Sequence, residues 1–152
     1  MHRISRFILV EAPIERVFEF TSDYRNLPRI QTEFQTVLPL SAQTRGLGAQ
    51  VEATGSFRGL PIRVKLEVVK FEPPHLLVSD SAGAIRSRTT WTFREQSGGP
   101  DAPARTRAAV AVEYEIQVPG LSLLGGLVQR DVDEMTTCSL RRLKSLLEGG
   151  ER

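Results

Sequence analysis

Few side chains in this 152-residue sequence have types and spacing that could do chemistry. His2 lies in a terminal segment, and His75 follows Pro73-Pro74 in a turn; both are read as solvated. No Ser-His-Asp order occurs, and no His, Cys, Asp and Glu spacing fits a metal, so neither a triad nor a metal site is expected. The single cysteine, Cys138, excludes an internal disulfide, and its place on an apolar helix arc makes it packing rather than a nucleophile. Gly46-x-Gly48 lacks the context of a phosphate loop, and Gly98-Gly99 reads as flexible chain, so no nucleotide and no other cofactor is expected. Asp131, Tyr114 and Arg142 remain. They could serve as acid and base on an enolisable ligand if the fold brings them together with shifted pKa values.

The elements that must position these groups follow from hydrophobic period. Arg3 to Val10 reads as a strand. Pro13 to Thr21 reads as a short amphipathic helix, and Ser22 or Asp23 caps a second one ending before Pro28. Ile30 to Leu38 is a further strand. Ala49, Val51, Ala53, Gly55 and Phe57 then alternate with polar residues, as do Ile62, Val64, Leu66 and Val68 after the Arg58-Gly59 turn. Such clean period-two alternation predicts an antiparallel sheet with one wet face. Leu76 to Ser81, Ile85 to Glu95 and Thr106 to Val118 complete it. Ser87, Thr89, Trp91 and Phe93 share one face, as do Ala108, Val110, Val112 and Tyr114. Leu121 to Leu147 reads as a helix of about seven turns, with Gly125-Gly126 marking a bend or a late start.

At 100° per residue, Leu121, Leu124, Leu127, Val128, Val132, Met135, Cys138, Ser139, Leu143 and Leu146 fall on one arc of that helix. Asp131 and Arg142 fall near its centre. A carboxylate isolated in a dry core is costly, so Asp131 is expected to face a hydrated, polar part of a pocket, near Ser87, Thr89 and Tyr114. Small and hydroxyl-bearing residues on the sheet's inner face leave room of the kind ligand pockets have. The expected lining is Val51, Ala53, Val64, Leu66, Ser87, Thr89, Trp91, Val112, Tyr114, Leu124, Val128, Asp131 and Met135.

Ile8-x-Val10-x-Ala12-Pro13-x-Glu15-x-Val17-Phe18, followed by Asp23 and Asn26-Leu27-Pro28, resembles the opening of the START-like, or Bet v 1-like, superfamily. Its polyketide cyclase/dehydrase and coenzyme Q-binding branches look closest. The resemblance implies an α+β helix-grip fold, with a curved antiparallel sheet of six to seven strands around the long C-terminal helix. It also implies a cavity for a hydrophobic small molecule, a lipid, quinone or polyketide-like compound. Binding or carriage, an aromatase/cyclase-like reaction and a protein-interaction role all stay open.

Composition narrows the partners. Twenty basic and eighteen acidic residues leave a net charge of +2, too little to point to nucleic acid. No stretch approaches the roughly 18 apolar residues a membrane span needs, and Phe7 to Val10 is too short an apolar run for a signal-peptide core. A single domain over 1–152 in the cytoplasm is the expectation, with the oligomeric state left open.

Overall fold

The computed structural model describes residues 2–83, 85–96, 98–116 and 125–149. Strand β1 (His2–Val10) is followed by helix α1 (Ile14–Ser22), a 3-10 turn (Tyr24–Asn26) and the short helix α2 (Leu27–Ile30). Six strands come next: β2 (Phe34–Pro39), β3 (Gln50–Phe57), β4 (Leu60–Glu72), β5 (Leu76–Gly83), β6 (Ile85–Glu95) and β7 (Thr106–Ile116). Helix α3 (Gly125–Glu148) closes the described chain. The seven strands form one antiparallel sheet in the order β1-β7-β6-β5-β4-β3-β2. This is the helix-grip architecture.

The expected boundaries shift at three places, each for a physical reason. Pro13 caps α1 from outside, its carbonyl accepting from the Arg16 and Val17 N–H groups. The second helix does not stop before Pro28. Asp23 caps the 3-10 turn by accepting from the Arg25 N–H at 3.0 Å, and α2 then runs through Pro28, whose missing N–H is no loss in a first turn. Ile30 therefore ends α2 rather than opening β2, and Gln31 to Glu33 carry the chain across to the sheet edge. Residues 117–124, including Leu121 and Leu124, lie outside the described residues.

Burial follows the alternation. Val51, Ala53, Phe57, Val64, Val68, Trp91, Phe93, Ala108, Val110 and Tyr114 are all buried on the face that meets α3. On α3 the buried stripe is Val128, Val132, Thr136, Ser139, Leu140, Leu143 and Leu147. It lies to one side of the expected arc. Leu127 is 42% exposed and Cys138 is exposed, so Cys138 is not core packing. Thr136 takes a buried place because its hydroxyl is satisfied internally, donating to the Val132 carbonyl at 2.7 Å.

The buried residues form two clusters. The larger joins α1 to the C-terminal half of α3 and the sheet centre, with Val17, Phe18, Val51, Val68, Trp91, Phe93, Leu140 and Leu143 among its members. The smaller comprises Ile4, Phe57, Tyr114, Val128 and Val132, under the N-terminal half of α3. Polar ties hold α3 down along its length. Arg6 pairs with Asp133 at 2.9 Å, Arg142 Nε donates to the Arg29 carbonyl at 2.7 Å, and Lys144 Nζ donates to the Leu9 carbonyl at 2.9 Å.

Candidate functional site

The two clusters do not close completely on one another. At their seam lies a cavity of about 120 Å³. Trp91 and Val110 reach it from the larger cluster, and Phe57, Tyr114 and Val132 from the smaller. Phe34, Ile62, Val64, Val112 and Met135 complete its apolar wall. Alternation puts these side chains there: β6 and β7 pair Ser87 with Tyr114, Thr89 with Val112 and Trp91 with Val110, so three successive inward pairs line one stretch of wall.

Several polar groups enter the wall, and four hydroxyls among them are already satisfied. The Ser81 and Ser87 hydroxyls bond to each other at 2.7 Å. Thr136 and Ser139 donate to the Val132 and Met135 carbonyls within their own helix. The Tyr114 hydroxyl differs. The residue is 1% exposed, and its oxygen has no hydrogen-bond partner among the described residues. Its ring stacks on His2 with centroids 5.1 Å apart, which fixes its direction. Burial pushes the phenol pKa up, so it stands as a donor.

Glu33 is the carboxyl group of the cavity wall. It lies in the crossing from α2 to β2, just before an irregularity in which Phe34 pairs with Gly55 but Thr36 pairs with Thr54. Such a bulge redirects the side chains beside it. Gly55 makes the crossing possible. A Cβ there would overlap the Glu33 carbonyl oxygen and sit 2.8 Å from Phe34 Cα. The Glu33 carbonyl accepts from the Ser56 N–H at 3.0 Å, pinning the segment to β3. Burial pushes the Glu33 carboxyl above its ordinary range, offset in part only by its own backbone N–H.

Beside the cavity is an open vestibule of about 350 Å³, with Glu33, Phe57, Met135 and Ser139 bordering both spaces. Asp131 is here, not in the cavity. It forms an ion pair with Arg58 from the β3–β4 turn. Arg58 and Gly59 take φ of 52° and 78°, the left-handed pair of a tight hairpin turn, and this aims the guanidinium at α3. The expected partners Ser87, Thr89 and Tyr114 are therefore not those of Asp131; the compensating charge comes from a turn residue. Arg142, tied to α2, does not join Asp131 and Tyr114 either.

Of the expected lining residues, Val64, Ser87, Thr89, Trp91, Val112, Tyr114 and Met135 border the cavity. Val51 and Leu66 pack with the larger cluster and Val128 with the smaller, while Ala53 is fully buried in the sheet; none of the four borders the cavity. Leu124 lies outside the described residues. Sequence reasoning misses Glu33 and Gln31, since they sit in a non-periodic crossing. A lone carboxylate between apolar Ile30 and Phe34 is the available signal.

Among the described residues, no three His, Cys, Asp or Glu side chains gather as a metal site, and no helix is long and apolar enough to cross a membrane.

Solved structures share this architecture. TTHA0849 from Thermus thermophilus matches with a TM-score of 0.79 at 20% identity, over 99% of this chain and 100% of that one. The Zhui aromatase/cyclase from Streptomyces sp. R1128 matches with a TM-score of 0.75 at 14% identity, over 99% and 96%. Ara h 8.0201 matches with a TM-score of 0.67 at 13% identity, over 98% and 99%. No curated protein matches in sequence. The family model described as "Polyketide cyclase / dehydrase and lipid transport" matches residues 1–148, and the chain belongs to that family.

Proposed function

We propose that this protein binds a hydrophobic small molecule of the lipid, quinone or polyketide-like kind in the cavity between sheet and α3. The carrying observation is the cavity itself: an apolar space at the seam of two clusters, with Tyr114, whose buried hydroxyl has no partner among the described residues, in its wall. A space left open in a core costs stability, and an orphaned donor adds to that cost. A ligand that fills the one and bonds the other recovers both. The bound molecule would touch Val64, Ser87, Thr89, Trp91, Val112, Tyr114 and Met135.

Native mass spectrometry of freshly purified protein, with extraction of whatever co-purifies, tests this reading. A stoichiometric hydrophobic adduct supports it. Trp91 is the chain's single tryptophan and lines the cavity, so its emission should change as the adduct is removed and restored. Emission that stays constant while binding is measured otherwise would place the ligand elsewhere.

Glu33 favours a second reading, an aromatase/cyclase-like reaction, because a carboxyl in the cavity wall whose pKa is raised by burial is suited to hand on a proton. Turnover of a polyketide-like ketone that is lost in Glu33→Gln with ligand affinity retained would establish that reading over simple binding.

A further inference from the structure

The size of the cavity and two of its polar groups, the Tyr114 hydroxyl and the Glu33 carboxyl, narrow the ligand class. A dry apolar cavity of roughly 150 Å³ holds benzene, whereas sites for drug-sized molecules start near 300 Å³. At about 120 Å³ the space takes one ring and short substituents, and anything longer must run out into the vestibule past Arg58 and Asp131.

Polarity then sets what the substituents are. The serine pair is closed on itself, and the Thr136 and Ser139 hydroxyls are spent on helix carbonyls. The Tyr114 hydroxyl is a buried donor with no acceptor among the described residues. Glu33 supplies carboxyl oxygens on the other flank. It enters from the β2 end of the sheet and Tyr114 from β7, with four strands between them in sheet order. The other ionisable groups near Glu33 lie in the vestibule: the paired Arg58 and Asp131, then Glu134 and Cys138. A charged ligand would have to lose its water in an apolar space whose wall, among the described residues, carries no charged side chain but Glu33.

We infer that the cavity is built for an uncharged single-ring molecule, or the single-ring head of a longer one, with an oxygen acceptor facing Tyr114 and a hydroxyl donor facing Glu33. This rests on the binding reading above and specifies its ligand. Burial of Glu33, which holds its carboxyl above the ordinary range, agrees with a neutral occupant.

The test is isothermal titration calorimetry of the whole chain with 4-hydroxyacetophenone, a one-ring ketone with a para hydroxyl, and with p-cymene, its apolar counterpart in shape. The wild type should bind 4-hydroxyacetophenone at least tenfold more tightly. Tyr114→Phe should weaken 4-hydroxyacetophenone about tenfold and leave p-cymene unchanged. Glu33→Leu should act likewise, and Glu33→Gln, which keeps an acceptor oxygen, should retain most of the affinity. If Glu33→Leu does not fold, the Tyr114→Phe contrast decides alone. Equal or tighter binding of p-cymene by the wild type overturns the inference and leaves the binding reading standing. So does an equal loss of both ligands in Tyr114→Phe, which would make that residue packing only. Failure of both compounds to bind overturns the inference and the cavity reading together.

Discussion

Filling the cavity should stabilise the protein and abolish binding at the same time. Residual cavity volume costs about 24 cal/mol per Å³ in core substitutions, so a space of about 120 Å³ represents roughly 3 kcal/mol of forgone stability. Val112 is the position to use. It lies on β7 between Val110 and Tyr114, opposite Thr89, and its side chain borders the space. Val112→Phe keeps a residue that suits a strand and places a ring in roughly half the volume, recovering about 1 kcal/mol after some strain. For a chain of this size that is a rise in Tm of about 2–4 °C. Urea denaturation should show a higher midpoint with an unchanged slope. A ligand at a hundred times its Kd stabilises the wild type by about 2.7 kcal/mol, and this increment should vanish in the variant. A variant that loses stability yet keeps the full ligand-induced shift would refute the placement of the cavity.

Three other outcomes follow. Gly55→Ala should cost about 2–3 kcal/mol in urea denaturation, because the new Cβ meets the Glu33 backbone and not a yielding side chain, and an unchanged midpoint would mean the crossing is not tied to β3. Asp131→Leu breaks a pair whose side chains are 36% and 20% exposed, so it should change stability by less than about 1 kcal/mol while speeding ligand release in stopped-flow Trp91 fluorescence; a loss above about 2 kcal/mol would show a buried structural charge instead. Burial pushes the Tyr24 phenol up to about 12 and the Tyr114 phenol up as well, against about 10 in the unfolded chain. The folded phenols thus keep protons that the unfolded ones lose, so this stability is intact below pH 10 and falls as pH rises toward 12. Absorbance at 295 nm should show little native phenolate at about pH 10.5, where the urea-unfolded chain is mostly ionised.

The sheet is legible in the sequence because its side-chain period is two, and a strand with one apolar face admits a single register. Alternation alone sets Ser87, Thr89, Trp91, Val112 and Tyr114 on the inner wall, and they border the cavity. The helix is harder. A wheel ranks residues by angle but not by what crosses them, so it draws Cys138 inward and misses Thr136, although a backbone carbonyl satisfies that hydroxyl. The need of Asp131 for compensation is legible, but its partner Arg58 sits in a turn, where no period predicts direction. Glu33 escapes for the same reason: a bulge beside Gly55 aims it, and a bulge is a feature of pairing between strands distant in sequence.

The division of the interior into two clusters has a consequence for how the molecule breathes. Helix α3 is anchored over its C-terminal half by the larger cluster and by the Arg142 and Lys144 ties, whereas its N-terminal half rests on the smaller cluster and two ion pairs. Proteins open in cooperative units whose stability follows such local packing. Amide exchange at Val128 to Asp133 should therefore run through a sub-global opening, while amides near Leu140 and Leu143 wait for global unfolding. The seam becomes accessible without dissolving the core, and an occupant bridging both clusters joins the two exchange classes into one.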